Sequence, residues 1–304
     1  MSRSNLSEII LRRPSAMMAA ALVAMLLALI AIRPAEAAFP GTNGQIVFTS
    51  DRDGGDYEIY TANSDGTSPR RLTFHAGYDL DPAWSPTGKI VFARYSGSTR
   101  EALYTMNASS GNLRRVVRFA YDPAWSPNGS RIVFHSGGDI YTIKPDGTGR
   151  RQVTSGRAWD EHPVWSPNGS RIAFNRSPDP LSESLGIYTI TTRGTGLRHV
   201  TFGNDFVPDW SPDGTRLVFE NYNRGTDTHT ISTVNANGSG LTPLRSGWFI
   251  GYPVFSPDGT KIAYYGAESV PGYQVFAINA SGSGTPTALT SVGNSYTPDW
   301  RPGP

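Results

Sequence analysis

The stretch 121-YDPAWSPNGSRIVF-134 has a near copy upstream, LDPAWSPTGKIVF at 80–92, and another downstream, EHPVWSPNGSRIAF at 161–174. Inside it, Ser126-Pro127-Asn128-Gly129 reads as a tight turn. Proline pre-sets φ at the first corner, asparagine tolerates the second, and glycine accepts positive φ at the exit. The apolar run Ile132-Val133-Phe134 then follows as a strand. Trp125, just before the turn, is a large apolar group that buries ~150–250 Å² and is expected to fill the space between neighbouring units. The string is therefore read as packing and turn chemistry.

Aligned on that tryptophan, the chain repeats at Trp84, Trp125, Trp165, Trp210, Phe255 and Trp300, with spacings of 41, 40, 45, 45 and 45 residues. Stepping back 45 residues from Trp84 reaches Phe39, where FPGTNGQIVF keeps the proline, the glycine and the apolar run. A period of 40 to 45 residues is that of a four-stranded propeller blade. Each period holds four short runs rich in β-branched and aromatic residues. One ends at the anchor aromatic, and the second is Ile-x-Phe. A third reads EIYTAN, ALYTMN or DIYTIK, and after a glycine-rich turn a fourth reads RRLTF, RRQVT or RHVTF. The fold class expected is all-β: a six-bladed β-propeller of four-stranded antiparallel blades. Six sets of outer strands follow the anchors, and an innermost strand is left over at Tyr296–Trp300. The ring is thus expected to close by this C-terminal strand joining the first blade, which protects the sheet edges.

The first 38 residues are of another kind. Arg3, Arg12 and Arg13 precede the apolar run Ala16–Ile32, and Ala35-Glu36-Ala37 follows. This order is that of a secretory signal peptide cut after Ala37 or Ala38, with an uncleaved anchor as the alternative. Residues 39–304 form the propeller domain in this reading. Residues 1–38 carry four Arg and two Glu, leaving 23 basic and 23 acidic residues in the remainder. That balance gives no basic footprint for nucleic acid and no reason for stable membrane insertion after signal removal. The chain has no cysteine, so an exported fold must hold without disulfides. The expected location is periplasmic or secreted.

The unit P-x-W-S-P-[ND]-G-x-x-I-x-F…I-Y-x-x, with SDRDGGDYEIY at 50–60, resembles the TolB-type six-bladed β-propeller repeat over residues 39–304. The resemblance implies a scaffold shared by periplasmic binding proteins, by the propeller domain of prolyl oligopeptidases and by some polysaccharide lyases. Only the signal-like segment precedes Phe39, so the resemblance covers the propeller and no preceding α/β domain. No Gly-x-Ser-x-Gly or His-Glu-x-x-His occurs. Asp51–Asp56, DRDGGD, lacks the further ligands of an EF-hand loop, with Gly55 and Ala62 where oxygen donors are needed; it is read as a polar turn.

Three residues before each anchor stand Asp81, Asp122, His162, Val207, Tyr252 and Thr297. One period apart is one blade apart, so Asp81, Asp122 and His162 are expected to form an arc at the channel mouth, with Asp79, Asp160, Glu161 and Asp205 nearby. Carboxylates and an imidazole at one level could hold a divalent cation such as Ca²⁺; the alternative is a solvated polar mouth where each Asp helps its strand begin. Trp159 and Trp248, the two tryptophans that are not anchors, and Tyr252 are candidate platforms for a sugar ring or a protein. The segments NRSPDPLSESLG and NYNRGTDTHT are expected to rise as loops around this face. Two readings follow. One is a stand-alone propeller that binds or scaffolds an envelope protein or glycan. The other is a metal-assisted carbohydrate or lactone hydrolase or lyase acting through Asp81, Asp122 and His162.

Overall fold

The computed structural model describes residues 40–96, 101–179, 181–268 and 272–303. The expected signal segment, 1–38, and the first anchor, Phe39, lie outside the described residues.

Among the described residues, twenty-four strands form six separate four-stranded sheets. The innermost strands are Tyr78–Trp84, Tyr121–Trp125, Trp159–Trp165, Asp205–Trp210 and Ile250–Phe255 in blades 2 to 6, and Ser295–Pro302 in blade 1. That last strand pairs antiparallel with Asn43–Ser50. The expected closure of the ring by the C-terminal strand is what the sheet order shows.

Packing between blades follows from the repeat. Trp84 is fully buried among Val47, Ile59 and Leu72 of blade 1 and Ile90 and Phe92 of its own blade. Trp125 is set in the same way among Val91, Leu103, Ile132 and Phe134. At the seam, Trp300 joins Ile46 and Phe48 to Ala263 and Val275 of blade 6. The turn after each anchor is held by side chains. Ser126 Oγ donates to Asn128 Oδ1 at 2.9 Å and accepts the Arg131 N–H, while Gly129 has φ of 67°. The threonine at the end of the fourth run also has a fixed task. Thr73, Thr154, Thr201 and Thr290 each accept the N–H of the third strand of their blade at 2.9 Å.

One expectation about the connections is corrected. Residues 221–230, NYNRGTDTHT, are mostly a continuation of the hairpin Arg216–Asn223 and Thr228–Asn235, paired out to Asn223 with Thr228. Alternating threonines favour the strand, so only residues 224–227 turn.

Candidate functional site

Asp81, Asp122, His162, Val207, Tyr252 and Thr297 do form a level ring, one residue per blade, but they do not begin their strands. Each lies inside the innermost strand with φ between 46° and 52°. At this point the pairing of innermost and second strands slips in all six blades. Such a bulge re-aims a side chain. A left-handed conformation costs roughly 1–2 kcal/mol for a non-glycine residue, and a following proline disfavours it further. Every ring member is followed by proline.

A second ring supports the first. One position after each Ile-x-Phe, or after its counterparts Leu217-Val218-Phe219 and Ile262-Ala263-Tyr264, stand Thr49, Ala93, His135, Asn175, Glu220 and Tyr265. In four blades the two rings meet. Thr297 Oγ1 bonds Thr49 Oγ1 at 3.1 Å. Asp122 Oδ2 lies 2.8 Å from His135 Nδ1, and His162 Nδ1 is 2.9 Å from Asn175 Oδ1. Tyr252 packs on Tyr265 with ring centroids 5.8 Å apart. In blade 2 the partner of Asp81 is Ala93, which offers no hydrogen bond. These second-strand residues were missed in the sequence, although their fixed offset from Ile-x-Phe was available to find them.

Across the channel the ring members touch as well. His162 Nε2 is 3.6 Å from Asp122 Oδ2 and 3.4 Å from the Tyr252 hydroxyl. Burial works against the Asp122 charge, but His162 and His135 outweigh it and hold this carboxyl well below the usual range. Burial likewise pulls His162 down, and the facing carboxylates, Asp122 first, reverse this to a net rise. Asp81 is pushed up to about 7 by burial and then by the Asp122 charge.

The other acidic residues of this region divide. Asp79 and Asp160 are buried and held by two hydrogen bonds each, from Arg94 at 2.7 and 2.7 Å and from Arg176 at 2.6 and 2.8 Å. Their arginines cover Tyr104 and Tyr188 of the third strands at 5.0 and 5.2 Å. Asp205 accepts from Asn221 at 2.7 Å. These three are braces. Glu161 lines the channel mouth and accepts the indole N–H of Trp159. The Trp159 ring lies so close over Gly138 that a Cβ there would come within 2.6 Å of it, so Trp159 is a packing group and not a free platform. Trp248 is 75% exposed.

The mouth is a cavity of about 770 Å³ lined by every member of the first ring except Val207, by Thr49, His135 and Tyr265 of the second, and by further tyrosines. The rings of Tyr252, Tyr265, Tyr296, Tyr57 and Tyr78 follow one another at 5.3 to 5.8 Å, from blade 6 through blade 1 to blade 2. Tyr95 and Tyr121 continue the wall at 6.1 Å. Among the described residues no group of three His, Asp or Glu side chains is placed to hold a metal ion. Asp122 Oδ2 faces two imidazole nitrogens, those of His135 and His162. Among the same residues no helix is long and apolar enough to cross a membrane.

Around the mouth, the connections from outermost to innermost strands carry exposed aromatic groups: Phe74, Phe119, Phe202, Trp248 and Phe249, with Phe202 at 82%. The buried anchors leave nothing comparable at the opposite end, where the exposed large side chains are single leucines, Leu113, Leu197 and Leu241.

With this geometry in hand, known proteins fall into a consistent set. The family model described as the TolB beta propeller domain matches residues 116–303. A protein TolB homolog from Chlorobium luteolum is 36% identical over 121 residues, which is 38% of this chain and 27% of that protein. The match thus spans about a quarter of that relative's length. Among solved structures, TolB from Acinetobacter baumannii superposes with a TM-score of 0.73 at 20% identity, over 86% of this chain and 67% of its own. An oligogalacturonate lyase in complex with manganese gives 0.57 at 15% identity, over 83% and 76%. At these identities the likeness is one of fold.

Proposed function

The chain belongs to the TolB beta propeller domain family, and from that premise we propose that it is an exported protein-binding module of the cell envelope. The observation that carries this reading is the asymmetry of its two faces. Large exposed aromatic groups gather on the connections around the channel mouth, in four of the six blade junctions, and are lacking on the other face among the described residues. Exposed aromatic anchors on a rigid scaffold are the composition of a protein interface. The leader-like segment at 1–38 supports export, and a balanced charge over residues 39–304 fits a partner held by apolar contact more than by field.

The metal-assisted hydrolase or lyase alternative has less support, since among the described residues no three His, Asp or Glu side chains are grouped to hold a metal ion. A photo-reactive phenylalanine at position 248 in the producing cell tests the proposal, with the same group at position 148, in a turn of the opposite face, as the control. One envelope protein joined from 248 and not from 148 is expected. Identical products from both positions, or polysaccharide alone from 248, would overturn it.

A further inference from the structure

We propose that the tyrosine-walled cavity at the channel mouth is a binding site for an organic ammonium group, seated against Asp81. The site is separate from the exposed aromatic rim and does not depend on docking there.

Four observations converge on this chemistry. First, the cavity presents three carboxylates, Asp81, Asp122 and Glu161, against two imidazoles, and no Lys or Arg of the described residues lines it. Second, two of those carboxylates are already engaged. Asp122 faces His135 and His162 at 2.8 and 3.6 Å, and Glu161 takes the Trp159 N–H. Third, in blade 2 the second-strand position beside Asp81 is Ala93, paired with Leu80, where other blades supply a polar or aromatic side chain; Asp81 receives no side-chain hydrogen bond there, and burial first, then the Asp122 charge, raise its pKa against the weaker pull of His162 and His135. Fourth, the surrounding wall is made of tyrosine rings. Tyr95 and Tyr252 are both held neutral, by burial first and then by the nearby Asp81 and Asp122 charges.

A neutral aromatic wall around an unpaired carboxylate suits an ammonium ion. The rings attract it through their negative faces, worth about 0.5–2 kcal/mol each in such settings, and the carboxylate supplies the counter-charge. An anion would meet uncompensated carboxylates. A neutral sugar would donate hydroxyl hydrogen bonds to Asp81 but bring no counter-charge. A cavity of about 770 Å³ also lies within the range of small-ligand pockets. Both a free amine and a lysine side chain of a protein carry this group.

The test uses the folded chain without its leader, labelled at tyrosine and followed by NMR. The probes are n-butylammonium, Nα-acetyl-lysine methylamide, n-butanol and butyrate. The two cations should shift the cavity tyrosines, while n-butanol and butyrate should not. Asp81→Asn should lower the affinity for both cations about tenfold or more, with melting not lowered, because ionising Asp81 is disfavoured by burial and by Asp122. Tighter binding of the lysine derivative than of butylammonium assigns the site to a protein's side chain, and the reverse order to a free amine. Equal response to butanol or butyrate, no response to either cation, or undiminished binding by Asp81→Asn would overturn the proposal. If that variant does not fold, the four-probe comparison on the wild-type chain decides. Trp248→Ala should leave ammonium binding intact, so this site and the rim fail or succeed independently.

Discussion

Asp209 Oδ2 accepts the backbone N–H of Phe255 at 2.8 Å, and Asp299 Oδ2 that of Trp84 at 2.6 Å. Each carboxyl thereby ties its innermost strand to the next blade. Burial pushes both up to about 7. The folded state therefore binds more protons than the unfolded chain between roughly pH 4, the ordinary Asp value, and pH 7. Stability is fully present below that window and declines as pH rises through it. Melting temperature should fall by on the order of 5 °C from pH 5 to pH 8, and the Asp209→Asn, Asp299→Asn double variant, which keeps both acceptors, should flatten that slope in calorimetry. At this scale the sequence was partly legible. Periodicity alone placed Asp81, Asp122 and His162 on three successive blades. The environment of each was hidden, because it depends on which residue the second strand brings beneath it: His135, Asn175 or Ala93. Asp79 and Asp160, expected close to that arc, are instead held by Arg94 and Arg176.

Strand by strand, the departure from expectation is the bulge. Aspartate ahead of proline reads as a strand start, since proline biases its predecessor toward extended backbone. Instead six residues, two of them β-branched, adopt left-handed φ in mid-strand. Tertiary closure around a channel overrides the local preference, because the innermost strand must curve while its outer neighbour stays paired. Val207 offers a direct measure. Val207→Gly should shift stability by less than about 1 kcal/mol, or increase it, as relief of the strained backbone offsets lost contacts. Val218→Gly in the adjacent strand, fully buried in ordinary extended backbone, should cost about 3 kcal/mol or more. Urea unfolding of the two variants makes the comparison. The turns, by contrast, were readable letter by letter, because Ser-Pro-Asn-Gly encodes its own hydrogen bonds.

For the whole molecule, closure rests on eight residues. Ser295–Pro302 supplies the innermost strand of blade 1, the ring member Thr297, the anchor Trp300 and the tie from Asp299 to blade 2. A chain ended at Asn294 should lose its cooperative thermal transition and self-associate through the exposed edge of Asn43–Ser50, as light scattering and calorimetry would show. Six blades and their closure were legible because an integer number of repeats plus one leftover strand has one economical solution. There is also a consequence in time. The strand that completes the first blade is the last of the propeller to be synthesised. At roughly 5–20 residues per second, the first blade waits on the order of ten to fifty seconds for its partner. Throughout that interval blade 1 lacks its innermost strand, so the ring stays open and the blades already made must persist without it.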